Sequence, residues 1–172
     1  MQNNDGKLKV GLAQLAPVWL DKKRTLEKIV QTIHEAGQNG IELLVFGEGL
    51  VPGYPLWTGL TNATVFDSPM QKELHAHYAA NAVDIEKGDL NEVCSVLKQY
   101  GMGSYLGVIE RPLDRGGHSL YASLVFIDNH GKVQSVHRKL RPTYDERLTW
   151  SPGDGHGLQV HRIKEFTLGG RH

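Results

Sequence analysis

Apolar residues recur along this chain with two different periods, and the switches between them mark out strands and helices. Residues 8–15 (LKVGLAQL) read as a first strand. Asp21 can then cap a helix whose Leu26, Ile29, Val30 and Ile33 recur at three- and four-residue spacing, with Gly37 or Gly40 marking its end. Residues 41–46 (IELLVF) form an apolar run with a single charge, the right length for a buried parallel strand and too short for a core helix. Strand, helix and strand in that order make a βαβ unit, which implies a parallel pair with a right-handed crossover. Residues 69–85 predict a helix that turns Leu74, Tyr78 and Val83 inward, and residues 92–100 predict another. Residues 104–110 and 120–127 read as strands, and Asp128-Asn129-His130-Gly131 is a hairpin turn leading into residues 132–138. No linker divides the chain and no internal repeat or low-complexity segment interrupts it. The pattern is that of an α/β fold.

The chemistry gathers where the apolar runs stop. Glu48 follows the run at 41–46, flanked by Gly47 and Gly49, and Pro52, Gly53 and Pro55 force an irregular backbone just beyond it. A carboxylate at the carboxyl edge of a sheet lies where open α/β folds place their reactions. Burial among apolar neighbours is expected to raise its pKa toward neutrality, as a general base working near pH 7 requires. In the same way Pro142 stops the strand that ends in His137-Arg138-Lys139, so Lys139 is presented at a strand end, where an ammonium can stabilise negative charge developing on a substrate. Tyr54 and Trp57 lie just past Glu48 and could either wall a substrate pocket or pack a turn against the sheet.

Composition narrows the classes without choosing among them. The chain has 172 residues, 40% hydrophobic and 22% charged, with zero formal net charge: ordinary globular values, with no basic excess to suggest nucleic acid. The polar N-terminus has no apolar core of a signal peptide, and no stretch reaches the length of a membrane span, so no membrane association is expected. The single cysteine, Cys94, excludes an internal disulfide and points to a reducing, cytoplasmic setting. It sits on or beside the apolar stripe of Val93, Val96, Leu97 and Tyr100, with no cation shortly before it to lower its pKa, and reads as a structural thiol. His75 and His77, two residues apart, point to different sides of a helix, and His156 and His161 flank a loop with no acidic partner at ligand spacing, so no metal site is expected and surface histidines are the default reading. The loop Ser151-Pro152-Gly153-Asp154-Gly155-His156-Gly157 lacks the lysine and hydroxyl of a phosphate cradle.

The string GIELLVFGEGLVPGYP, residues 40–55, resembles the first signature of the nitrilase superfamily of carbon–nitrogen hydrolases. The stretch VHRKLRPTYDERLTW, residues 136–150, is similar to that family's lysine segment, and its Pro-Thr, Glu-Arg-Leu and Trp resemble the nitrilase branch more than the amidases. The resemblance runs from about Lys9 to Gly170 and implies Glu48 as general base, Lys139 as catalytic lysine, and Glu146 as a second glutamate that orients the lysine and the attacking water. It further implies an αββα sandwich of which this chain holds the first half only, residues 1–172 forming a partial domain. Thr167-Leu168-Gly169-Gly170 looks like the opening of the signature that carries the nucleophilic cysteine, but the sequence given ends at His172, one position before that cysteine is expected. The implied reaction converts a small-molecule nitrile to a carboxylic acid and ammonia with no metal or organic cofactor. Two classes of function follow: a truncated nitrilase, inactive as this chain stands, and a non-catalytic binding or assembly module. In either case an uncovered sheet face predicts self-association.

Overall fold

The structure is a computed structural model that describes residues 6–170. Its strands are β1 (Val10–Ala13), β2 (Leu43–Phe46), β3 (Gly103–Glu110), β4 (Tyr121–Ile127), β5 (Val133–Arg138), β6 (Val160–Ile163) and β7 (Phe166–Gly169). Its helices are α1 (Lys22–Gln38), α2 (Trp57–Leu60), α3 (Pro69–Ala80) and α4 (Asn91–Tyr100), with 3-10 turns at Leu113–Arg115 and Tyr144–Leu148. One sheet has the order β1-β2-β3-β4-β5, with β1, β2 and β3 parallel and β4 and β5 antiparallel. The β6–β7 hairpin is a separate two-stranded sheet.

The βαβ unit forms as its periodicity requires. The Asp21 carboxylate accepts from the Arg24 amide and caps α1, satisfying one of the donors a helix start leaves open. Ile29 and Ile33 of α1 and Val93 and Leu97 of α4 bury against Leu44, Phe46, Leu106, Val108 and Val125, which fill one face of the sheet. Side chains alternate across a strand, so Leu43, Tyr105 and Phe126 emerge on the opposite face. There they pack against Ile163 and Leu168 of the hairpin. Farther toward the carboxyl end of β3, Ile109 and Ala122 on that face meet Trp57, Tyr78 and Trp150. The β1 edge lies beyond this cover: Val10 is 45% exposed and Leu12 80% exposed.

Several elements differ from their sequence expectations. β1 and β2 are shorter than the apolar runs that predicted them. α3 stops at Ala80 because the Val83 amide donates to the Ile109 carbonyl (2.7 Å) and the Val83 carbonyl accepts from the Arg111 amide (2.8 Å). Val83 is buried as predicted, but in a bridge beside the end of β3 and not on a helix. The β6–β7 hairpin was not expected at all.

Candidate active site

Glu48 lies just past β2, and its loop crosses over β3 at Gly107. A Cβ on Gly107 would stand 2.2 Å from the Gly47 carbonyl oxygen and 2.8 Å from Glu48 Cα, so only glycine lets the two chains approach this closely. Lys139 continues the β4–β5 ladder by one residue, its amide donating to the Ala122 carbonyl (2.8 Å). His137 on β5 is registered with Leu124, on the hairpin face, and Lys139 falls on the same face by strand alternation. Two chain segments from opposite sides of β3 and β4 thereby meet above the sheet.

The meeting is an ion cluster. Lys139 Nζ donates to Glu48 Oε1 at 2.8 Å and lies 3.1 Å from Oε1 and 2.9 Å from Oε2 of Glu146. Glu146 sits in the 3-10 turn, where Thr143 and Glu146 form a capping box: Glu146 Oε2 accepts from the Thr143 amide (2.6 Å) and hydroxyl (3.1 Å). Burial works against the Glu146 carboxylate, but these bonds and the Lys139 ammonium outweigh it and hold its pKa below the ordinary value. For Lys139, burial alone would lower the pKa; the bonds to Glu48 and Glu146 prevail and raise it. Both groups are therefore charged at neutral pH.

The surroundings hold this cluster in place. The Trp150 ring lies 5.7 Å from Lys139 Nζ, its Nε1 donates to Tyr78 Oη (3.1 Å), and Tyr78 Oη donates to the Gly53 carbonyl (3.0 Å). That chain of bonds ties the loop after Glu48 to the segment after Lys139. Tyr54 meets Trp150 edge-on at 5.5 Å, and burial, with the nearby Asp145 and Glu146 carboxylates, raises its phenol pKa. Thr58 Oγ1 donates to Asp145 Oδ2 (2.8 Å) and anchors the 3-10 turn to α2. A cavity of about 600 Å³ opens beside Glu48, walled by Val45, Tyr105, Leu124, Leu168, Gly169 and Gly170.

Glu48, Lys139, Glu146 and Tyr54 are thus brought together, while Trp57 is not. Trp57 is 3% exposed and packs on Tyr78 at 4.8 Å; its indole is large and apolar enough that the sheet end takes it into the core. Glu48 also departs from expectation: 41% of its side chain is exposed and its neighbour is an ammonium, so the apolar enclosure anticipated from its flanking residues is absent. Cys94 lies against the core on the helix side of the sheet, and burial pushes its thiol pKa up. The glycine-rich loop is a packing element: the Gly153 amide donates to the Lys139 carbonyl (2.8 Å), and a Cβ on Gly157 would stand 2.0 Å from the Val136 carbonyl oxygen. His137 and His161 are buried, contrary to the surface expectation. Among the described residues, no group of three or more His, Cys, Asp or Glu is placed to hold a metal ion.

Sequence reasoning missed an ion pair beneath the cluster. Arg138 donates from Nε to Glu110 Oε2 (2.9 Å) and from Nη2 to Oε1 (2.7 Å), Ser123 Oγ donates to the same carboxylate (2.7 Å), and the guanidinium lies 4.5 Å from the Tyr121 ring centre. This two-point contact with β3 fixes the residue immediately before Lys139. A lone acid at the end of an apolar strand was the one available signal.

The family model described as carbon-nitrogen hydrolase matches residues 9–169. "Nitrilase 2" from an unknown prokaryotic organism is 39% identical over 169 residues, covering 96% of this chain and 51% of that protein. An arylacetonitrilase of Fusarium vanettenii is 32% identical over 165 residues (96% and 45%), and an aliphatic nitrilase of Rhodococcus rhodochrous 31% over 165 residues (94% and 42%). The chain spans about half the length of the curated relatives it matches. Among solved structures, the NitN amidase from Neterenkonia sp. AN1 superposes with a TM-score of 0.63 at 15% identity, covering 95% of this chain and 56% of that one. A carbon-nitrogen hydrolase from Helicobacter pylori G27 gives 0.58 at 18% identity, covering 86% and 45%. The fold is the α/β carbon–nitrogen hydrolase type, represented by about half of that architecture.

Proposed function

The chain belongs to the carbon–nitrogen hydrolase family, and on that premise we propose that Glu48, Lys139 and Glu146 are the acid–base part of a nitrile-hydrolysing site. The observation that carries the reading is one ammonium held between two carboxylates at the rim of a cavity that Gly169 and Gly170 also wall. In this reading the nucleophile is the cysteine that the family resemblance expects one position beyond His172, outside the sequence given. Glu48 takes the thiol proton, and the thiolate adds to the nitrile carbon. Lys139 faces the nitrogen as it becomes anionic, and protonation there gives a covalent thioimidate. A first water adds, the C–N bond breaks and ammonia leaves; a second water, deprotonated by Glu48, cleaves the resulting thioester to the carboxylic acid and the free thiol. Glu146 holds Lys139 and the water throughout, and Tyr54 borders the substrate. Nitrilase activity in three of the relatives' names supports a nitrile over an amide as substrate. A thiolate nucleophile suits the reducing cytoplasm, where it escapes oxidation.

The 172 residues alone should not turn over, because Cys94 lies on the wrong face of the sheet to reach Glu48. Ammonia release from aliphatic and aryl nitriles tests this directly. Turnover by the 172-residue chain that survives Cys94→Ala would overturn the need for a cysteine after Gly170. In a chain extended to the length of the relatives, Glu48→Gln and Lys139→Ala should each remove most activity while far-UV circular dichroism stays unchanged, and Glu146→Gln should be milder. Near-normal rates in either of the first two would refute the assignment.

A further inference from the structure

His161, on β6, seats the β6–β7 hairpin on the large sheet. Its ring stacks on Phe126 with centroids 3.9 Å apart. Nδ1 lies 2.8 Å from Tyr105 Oη and Nε2 lies 2.9 Å from Ser135 Oγ, so hydroxyls from β3 and β5 grip the imidazole from both sides of β4. A neutral imidazole offers one donor and one acceptor, and a hydroxyl can answer either, so the arrangement is satisfied without charge. A two-stranded hairpin is marginal by itself in water. Besides His161, it is held by Ile163 and Leu168 on the sheet and by the Lys164–Glu42 ion pair at its turn. β7 runs straight into Gly170, whose Cβ direction points at the Leu124 side chain (2.7 Å) and the Tyr105 ring (2.8 Å). Tyr105 therefore touches both the clamp and the segment that walls the cavity beside Glu48.

We propose that the Tyr105–His161–Ser135 clamp holds Gly170, at the end of β7, against the wall of the cavity that Glu48 lines, and that protonation of His161 releases the hairpin and withdraws Gly170 from that wall. The inference rests on the reading that the nucleophile follows Gly170. Beside the ring stand Tyr105 on β3, Asp128 and His130 past the end of β4, and Arg162 on β6; His137 follows Ser135 by two residues on β5, and Lys164 and Glu165 lie in the hairpin turn. Asp128 is committed to its own turn: Oδ1 accepts from the His130 amide (2.8 Å) and the Lys132 amide (2.9 Å), and Oδ2 from Gln134 Nε2 (2.6 Å). Among the described residues no carboxylate bonds His161, so an imidazolium there would be buried without a counter-charge from them. Burial accordingly pushes its pKa below the usual histidine value. A depressed histidine pKa contributes stability that is full above the unfolded value, about pH 6.5, and is lost as pH falls through the folded one. The Lys164–Glu42 bond lowers the Glu42 pKa, so that second tie stays charged across the same window.

Amide hydrogen exchange by NMR on the 172-residue chain, from pH 7.5 to 5.0 and corrected for intrinsic rates, tests the clamp. Protection of the β6 and β7 amides should fall by about tenfold per pH unit below about pH 6.5, while the β3 and β4 amides keep theirs. Overhauser contacts from Gly170 to Tyr105 and Leu124 should disappear together with it. His161→Gln should remove the pH dependence, and Tyr105→Phe should lower protection at pH 7.5 without removing it. Unchanged hairpin protection down to pH 5.0, or the same pH dependence in His161→Gln, overturns the proposal. If His161→Gln leaves the hairpin undocked at every pH, the 15N titration of the wild-type His161 ring decides: a midpoint that coincides with loss of protection supports the clamp, and separate midpoints refute it. None of these readouts needs turnover, so failure of the clamp is distinguishable from failure of the catalytic reading.

Discussion

Gly107→Ala is the sharpest single probe of how this fold builds its site. The added methyl would stand 2.2 Å from the Gly47 carbonyl oxygen, where contact normally begins near 3.4 Å, and 2.8 Å from Glu48 Cα. Both neighbours are backbone, so no side chain can swing aside, and either the Glu48 loop lifts or β3 sinks by about 1 Å. Overpacking of this kind costs about 1–3 kcal/mol. In a chain of this size that is a fall in melting temperature of about 2–12 °C. A thermal melt followed by far-UV circular dichroism measures it, and the folded spectrum should be retained. Gly59→Ala is the control: Gly59 is exposed on α2 and its Cβ direction meets nothing within 4 Å, so its melt should match the wild type within a degree or two. In a chain extended to the relatives' length, the lifted loop carries Glu48 away from Lys139, and a displacement of about 1 Å is enough to cost on the order of 100-fold in rate. A Gly107→Ala melt indistinguishable from wild type would refute the claim that this crossing positions Glu48.

Arg138→Met leaves the Glu110 carboxylate buried without its cation and should cost about 3–5 kcal/mol in denaturant unfolding, most of it recovered when Glu110→Met is added; equal stabilities for the single variant and the wild type would count against the pair. The lowered pKa of Glu146 contributes stability that is present above its unfolded value near 4.5 and is lost as pH falls through the folded value. Thermal melts from pH 6 to pH 3 should therefore decline less steeply in Glu146→Gln than in the wild type, and parallel curves would sink this prediction. The exposed Val10 and Leu12 at the β1 edge should drive self-association of the 172-residue chain, visible by light scattering after size exclusion and reduced by Leu12→Lys; a monomeric wild type that binds no hydrophobic dye would show that the edge is not adhesive.

What could be read in the sequence was local. The apolar run before Glu48 and the proline after Lys139 each act within a few residues, and each sets its group at a strand end, where the structure has it; the Thr143–Glu146 capping box, equally local, went unread, and Glu146 came only from the resemblance. What could not be read depends on partners far along the chain. Val83 leaves its helix because the end of β3 offers a carbonyl and an amide to pair with, and nothing in the periodicity of residues 69–85 records that competition. Trp57 is polar at one edge and apolar elsewhere, so pocket wall and core were both open until Tyr78 and Ile109 closed on it. Glu48 was expected to lie among apolar neighbours, yet the glycines and prolines around it give the loop its shape without supplying cover. The hairpin escaped notice because its strands are four residues each and carry His161 and Arg162 among their apolar positions. The ring that seats it reads as a surface histidine unless Tyr105 and Ser135 are known to converge on it.

The geometry also explains why two glutamates on one lysine need not be equivalent. Glu146 is 7% exposed, with both oxygens near Lys139 and one of them also bound by the amide and hydroxyl of Thr143. A proton placed on it would have to displace those bonds. Glu48 bonds Lys139 through Oε1, is far more exposed, and walls the cavity that Gly169 and Gly170 share. In the proposed reaction Glu48 is therefore the acid assigned to take a proton from a group in that space. With both carboxylates ionised the cluster carries one net negative charge, and a proton arriving at Glu48 brings it to neutrality. Lys139 then keeps its grip on Glu146 and loses its charged partner on the cavity side, so its attraction passes to whatever negative charge is forming there. In the proposed reaction the proton taken from the thiol and the charge gathered on the nitrile nitrogen are thereby coupled through one ammonium, and Glu146 serves to keep that ammonium in place.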